Sequence, residues 1–209
     1  MDYSNRLSFS VAALLAGALA LAQNGAVPTD PTKTNPLKPG ASVPTVNVTT
    51  VEGKSVLLKD ALGGKPTVLV FYRGSWCPYC SAHLAELGKI EKDLIAAGYQ
   101  IVAVSPDKPE GLKQATEKNK LTYTLLSDSK ADAAKAFGVA FVVDPAMIER
   151  YKGFGIDLQA ASGERHSILP VPAVFLVDKS GKITYAYSNP DYRVRIKGAD
   201  LLEAARAQS

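Results

Sequence analysis

The chain has 209 residues, 46% of them hydrophobic, and a formal net charge of +4. That length buries one substantial core and leaves little for a second. Lys and Arg are interleaved with Asp and Glu, so no basic block points to nucleic acid, and the mild positive balance reads as an ordinary solvated surface.

The N-terminus reads as an export signal. Arg6 supplies a positive start, residues 9–22 form an apolar run broken only by Ser10 and Gly17, and Ala20-Leu21-Ala22 offers a small-x-small cleavage pattern. The run is shorter than the ~20 residues a spanning helix needs, and no Cys follows it for a lipid anchor. A signal peptide over 1–22 is therefore expected, with an exported, periplasmic or secreted mature protein that keeps no stable membrane association. Residues 23–43 contain Pro28, Pro31, Pro36 and Pro39 and few large apolar side chains, which predicts an extended Pro-rich linker.

The folded domain is expected over 44–209. Val46, Val48 and Val51, followed by Val56 and Leu58 across Glu52-Gly53, predict a hairpin. Residues 66–72 are an apolar, β-branched and aromatic run, the pattern of a central strand buried on both faces. A helix follows from Pro78 to about Ala97, with Gly98 as its C′ residue. Then come a strand over 100–105, a polar helix over 109–118, a strand over 123–126 and a short Ala-rich helix over 131–137. Residues 141–165 are less regular, with a helical stretch at 145–151. Strands over 171–177 and 182–187 flank the turn Asp178-Lys179-Ser180-Gly181, and a last helix spans 198–207. This order predicts an α/β domain with a mixed central sheet and helices on both faces.

The chemistry concentrates in Cys77-Pro78-Tyr79-Cys80, which holds the only two cysteines. A pair this close closes almost no loop, so a bridge between them stabilises little and is better read as reactive. Cys77 is the expected N-cap and Pro78 the first helical residue, where the missing N–H is harmless. The free N–H groups and the positive helix end favour a thiolate there, so Cys77 is expected to be exposed and acidified. Cys80 shares a face with Leu84 and Leu87 and is expected to be partly buried, while Trp76 and Tyr79 can shield the pair. Zinc would need Cys77, Cys80, His83 and one distant ligand, and Ser81 stands where haem attachment requires His. No metal or organic cofactor is indicated. His83 reads as an ordinary helix residue, and nothing is assigned to His166.

The stretch Val70-Phe71-Tyr72-Arg73-Gly74-Ser75-Trp76-Cys77-Pro78-Tyr79-Cys80 resembles the peroxiredoxin-like branch of the alkyl hydroperoxide reductase/thiol-specific antioxidant (AhpC/TSA) family. Leu169-Pro170-Val171-Pro172-Ala173-Val174-Phe175-Leu176-Val177-Asp178 is similar to a later strand of that family, and Asn189-Pro190-Asp191-Tyr192-Arg193-Val194-Arg195 follows in the right order. The resemblance implies a thioredoxin-like fold, with Pro172 as a cis-proline facing the cysteines. It implies an active-site arginine at Arg195, with Arg193 as its neighbour. Tyr72, Arg73 and Trp76 fall in supporting positions, Arg73 in place of a family Pro. It also lays Cys77 on the family's Thr and Cys80 on the peroxidatic cysteine, the reverse of what helix geometry implies. Both orders lead to one Cys77–Cys80 disulfide. The leading expectation is a thiol-dependent peroxidase acting on H2O2 or organic hydroperoxides and recycled by a reducing dithiol protein of thioredoxin type. The alternatives are an exported oxidoreductase exchanging thiols with protein disulfides, favoured by the intact CPYC, and a non-enzymatic redox-sensing module.

Overall fold

The apolar run at 66–72 forms the middle of the molecule. In the computed structural model, which describes residues 26–208, it is strand β3 (Thr67–Phe71), buried at every position. Ahead of it lie β1 (Asn47–Thr49), β2 (Ser55–Leu57) and α1 (Leu58–Leu62). After it come α2 (Pro78–Ala96), β4 (Gln100–Ser105), α3 (Pro109–Asn119), β5 (Thr124–Ser127), α4 (Asp132–Ala136), β6 (Ala140–Val142), α5 (Pro145–Gly153) and α6 (Leu158–Ser162). The chain closes through β7 (Ile168–Pro170), β8 (Ala173–Val177), β9 (Ile183–Ser188) and α7 (Gly198–Ala207).

Seven strands make one sheet in the order β2-β1-β5-β4-β3-β8-β9, and β6 pairs separately with β7. β3 runs parallel to β4, and β4 to β5, whereas β8 and β9 join antiparallel. The expected mixed sheet is present, and strand alternation divides its core. Val68, Val70 and Tyr72 point to one face and pack with Leu84, Leu87 and Leu94 of α2, Leu112 of α3 and Leu201 of α7. Leu69 and Phe71 point to the other face and meet Phe175, Phe137, and Leu58 and Leu62 of α1. Each fully buried Leu or Phe contributes roughly 1.5–3 kcal/mol. The Phe71 and Phe137 rings lie 4.9 Å apart, and Phe137 and Phe175 5.1 Å apart.

Three elements differ from expectation. Leu58 does not extend the hairpin strand but begins α1, because Leu58 and Leu62 at i, i+4 both reach the core. The strand expected over 171–177 begins only at Ala173, as β8, because Pro172 has no N–H for a ladder, and the residues before it form the separate β7.

The third difference is the linker. From residue 26 onward it is a strap laid on the domain rather than a free spacer. The Val142 N–H donates to the Pro28 carbonyl at 2.8 Å, the Leu37 N–H to Phe137 at 3.0 Å, and the Val43 N–H to Gly181 at 2.8 Å. Val27, Leu37, Ala41 and Val43 pack on the second core. The apolar residues are few but well placed, and the prolines leave less chain entropy to lose. The strap passes so close to Gly138 (φ +69) that a Cβ there would sit 2.0 Å from the Asn35 carbonyl oxygen. The apolar run at 9–22 lies outside the described residues.

Candidate active site

The cysteine pair sits where β3 ends and α2 begins, as the motif suggests. Cys77 is the N-cap (φ −87°, ψ 116°) and Pro78 the first helical residue. Both thiols are free, and both are buried, Cys77 to 1% exposure and Cys80 to 0%. Burial of Cys77 overturns the expected exposed sulfur. Its cover is Arg73, itself only 3% exposed, whose Nη1 donates to Cys77 Sγ at 3.8 Å.

Aromatic rings hold that guanidinium. Its carbon lies 4.0 Å from the Tyr192 ring centroid, 5.1 Å from Trp76 and 5.4 Å from Tyr151, and Nη2 donates to the Tyr151 hydroxyl. Tyr151 belongs to α5, a helix with no buried residue of its own. Tyr79 is exposed at the rim, edge-on to Tyr192 at 5.6 Å.

Cys80 has the other arginine. Arg195 Nη2 donates to Cys80 Sγ at 3.3 Å, and its Nε donates to the Tyr192 carbonyl at 2.8 Å. Arg193, two residues earlier, points away and pairs with Asp191 at 2.8 Å in solvent. The site therefore takes Arg195 and leaves Arg193 outside.

The electrostatics reverse the acidity that helix geometry implies. Interaction with the neighbouring Cys80 sulfur, burial and the Cys80 charge hold Cys77 protonated far above the usual thiol range, outweighing Arg73. Burial also pushes Cys80 up. The hydrogen bond from Cys77, the Arg195 charge and hydrogen bond, and the Arg73 backbone N–H together win and hold Cys80 below the usual range. At Cys77 the Cys80 backbone N–H and the Arg73 charge do favour the thiolate, but the neighbouring sulfur, burial and the Cys80 charge outweigh them.

Three further residues escaped the sequence reading. Asp107, after β4, accepts from the Ser75 N–H at 2.7 Å and the Ser105 hydroxyl at 3.1 Å, fixing the turn that carries Cys77. Burial, against those hydrogen bonds, raises its carboxyl to about 6. It lies at the carboxyl end of a strand parallel to β3, the end where α/β sites gather, and that signal was available. Tyr151 and Tyr192 had no such signal.

Tyr72 supports the site from below, fully buried with its hydroxyl lacking a well-aligned partner near Ser105, Asp107 and Cys80. Pro172 is buried beside Ala173, which pairs with Phe71 at the cysteine end of the sheet. The cis bond expected there is absent: no described peptide is cis. Trans is the lower-energy X-Pro isomer by about 0.5–1 kcal/mol, and the Pro172 carbonyl accepts from the Asn189 N–H at 3.2 Å.

His83, read as an ordinary helix residue, lies buried on α2. It is 4% exposed and neither ring nitrogen has a partner. Burial, then the Arg195 charge, lowers its pKa to about 4, against a small opposing effect of Glu86. His166 is structural, with Nε2 2.6 Å from the Ser129 carbonyl and Nδ1 accepting from Ile168 N–H. Among the described residues no three His, Cys, Asp or Glu side chains gather as a metal site would require.

A buried thiolate with an adjacent arginine and an adjacent thiol can attack an electrophile, take an oxygen from it and then close a disulfide. Comparison with known proteins agrees with that chemistry. The AhpC/TSA family model matches residues 39–186. Peroxiredoxin Bcp of Escherichia coli K12 is 30% identical over 155 residues, covering 74% of this chain and 88% of the relative. Similar solved structures include peroxidoxin BcpB from Mycobacterium tuberculosis, with TM-score 0.61 and 21% identity over 82% of this chain and 97% of that one. Reduced Prx3 from Vibrio vulnificus in complex with H2O2 has TM-score 0.67 and 19% identity over 81% and 99%.

Proposed function

The chain belongs to the AhpC/TSA family, a peroxiredoxin-type oxidoreductase of thioredoxin-like fold, and from that premise we propose that it reduces peroxides with Cys80 as the attacking sulfur and Cys77 as the resolving one. The Cys80 thiolate attacks the terminal oxygen of H2O2 or an organic hydroperoxide. The O–O bond breaks, water or alcohol leaves with a proton, and Cys80 becomes a sulfenic acid. Arg195 stabilises the thiolate before attack and the charge that moves onto the leaving oxygen during it. Cys77 then attacks Cys80 Sγ, the S–O bond breaks, water leaves, and the Cys77–Cys80 disulfide forms. A reducing dithiol protein of thioredoxin type regenerates the pair by exchange.

The observation that carries this order is the 3.3 Å approach of Arg195 Nη2 to Cys80 Sγ. The alternative, exchange with protein disulfides, needs an accessible first sulfur, and Cys77 at 1% exposure under Arg73 argues against it. The test is peroxide consumption by the reduced protein. Rates far above free cysteine at the same pH support the reading; rates no better, with turnover of insulin disulfides instead, overturn it. From the export signal read at residues 1–22 we also propose that this activity lies outside the cytoplasm; the mass of the mature chain tests that, a start near Gln23 supporting it and an intact Met1 contradicting it.

A further inference from the structure

Arg73 is a buried guanidinium without a carboxylate. It makes no salt bridge among the described residues; its hydrogen bonds go to Cys77 Sγ and the Tyr151 hydroxyl, and its Nε has no partner. Burying a charge this way costs several kcal/mol unless an anion answers it. The anion that can arise within its reach is a thiolate on Cys77, 3.8 Å away. In the reduced protein that thiolate is suppressed, because the adjacent Cys80 sulfur favours the protonated form of Cys77 and the Cys80 charge repels a second one. Conversion of Cys80 to a neutral sulfenic acid removes both effects and leaves Arg73 in place.

We propose that Arg73 is the catalytic counter-ion of the resolving step, stabilising Cys77 as a thiolate once Cys80 has been oxidised, so that the two arginines serve the two sulfurs in turn. This rests on the assignment of Cys80 as the attacking sulfur. The step balances: Cys77 loses its proton and attacks Cys80 Sγ, the S–S bond forms, the S–O bond breaks, and hydroxide leaves and takes up a proton as water. Cys80 is reduced from sulfenic acid to disulfide as Cys77 is oxidised. Tyr151 and Tyr192 are positioning residues, holding the guanidinium over Cys77 through a hydrogen bond and a ring face. The order is self-timed, since the resolving thiol is inert until the attacking one has reacted.

The groups facing this step are Cys80 from α2, Arg73 from the turn before it, Tyr151 from α5, Arg195, which acts on Cys80, and Asp107, which the Cys80 charge raises. The test is a single turnover with stoichiometric H2O2, quenched with acid and read by mass for sulfenic acid and disulfide across pH. An opposite charge at this range shifts a pKa by about 1–3 units. Arg73→Met is therefore expected to slow disulfide formation about tenfold or more at pH 7, move its pH profile upward and raise sulfinic acid on Cys80 under excess peroxide. Arg73→Lys should recover part of the rate. Resolution at the wild-type rate and pH profile in Arg73→Met, or a loss that Arg73→Lys does not relieve and pH does not change, overturns the proposal. Should Arg73→Met fail to fold, Tyr151→Phe reads the same point: slower resolution supports it, and unchanged resolution overturns it. Failure of the underlying assignment looks different, because Cys77→Ser would then trap no sulfenic acid on Cys80.

Discussion

Removing the Arg195 charge is the sharpest perturbation of the peroxide-reactive sulfur. Two opposite unit charges 3.3 Å apart interact by about 5 kcal/mol at an effective dielectric of ~20. Arginine–anion pairs deliver about 1–3 pKa units in practice. In Arg195→Met, burial of Cys80 is no longer opposed by that charge, and a rise of about two units from about 6 leaves about a tenth of it as thiolate at pH 7. Loss of a donor to the developing oxyanion removes a further factor of about 10²–10³. The second-order rate of Cys80 oxidation by H2O2 should therefore fall at least about a thousandfold at pH 7. The deficit should narrow about tenfold by pH 9, where the thiolate is restored but the donor is not. Stopped-flow oxidation against pH, with iodoacetamide alkylation as an independent reading of the thiolate, measures both parts. Arg193→Met is the control, since that side chain pairs with Asp191 in solvent, and it should leave the rate within about twofold. An unchanged alkylation profile in Arg195→Met, with a rate within about threefold of wild type, would refute the reasoning.

His83 binds its proton less tightly when folded, at about 4, than in the unfolded chain, at about 6.5. Its contribution to stability is therefore present above pH 6.5 and lost as pH falls towards 4, by about 3 kcal/mol. In urea titrations at pH 7 and pH 4, His83→Leu should lose correspondingly less stability than wild type; parallel losses would contradict this. Gly138→Ala should be destabilising by more than Gly98→Ala. Both glycines have positive φ, worth about 1–2 kcal/mol against Ala, but only at Gly138 would the new methyl strike the strap, with nothing within 4 Å at Gly98. Thermal unfolding of the two variants decides it, and equal midpoints would count against a docked strap.

Elements whose signals are local were legible in the sequence. The buried run of β3, the Pro78 start and Gly98 stop of α2, β4 and α7 all lie where composition and caps place them. Elements that exist only because a partner is present were not. α1 is five residues long and is held by Leu58 and Leu62 in the core, and the strap is held by carbonyls of Pro28 and Phe137 among others. The site divides in the same way. Cys77, Cys80 and Arg195 followed from a motif and a resemblance, whereas Tyr151 on α5 and Tyr192 in the loop after β9 reach Arg73 from distant parts of the chain. The acidity of the two sulfurs depends on where each side chain points, which the backbone rule for helix ends does not contain. Burial of His83 is likewise an outcome of packing.

Mapping the first oxidation product tests the account most directly. Cys77→Ser and Cys80→Ser, each reduced and exposed to one equivalent of H2O2 with a sulfenic-acid trapping reagent, would be compared by mass spectrometry. The account predicts a trapped sulfenic acid on Cys80 in Cys77→Ser and little or none on Cys77 in Cys80→Ser. A sulfenic acid on Cys77 in Cys80→Ser, with none on Cys80 in Cys77→Ser, would contradict it.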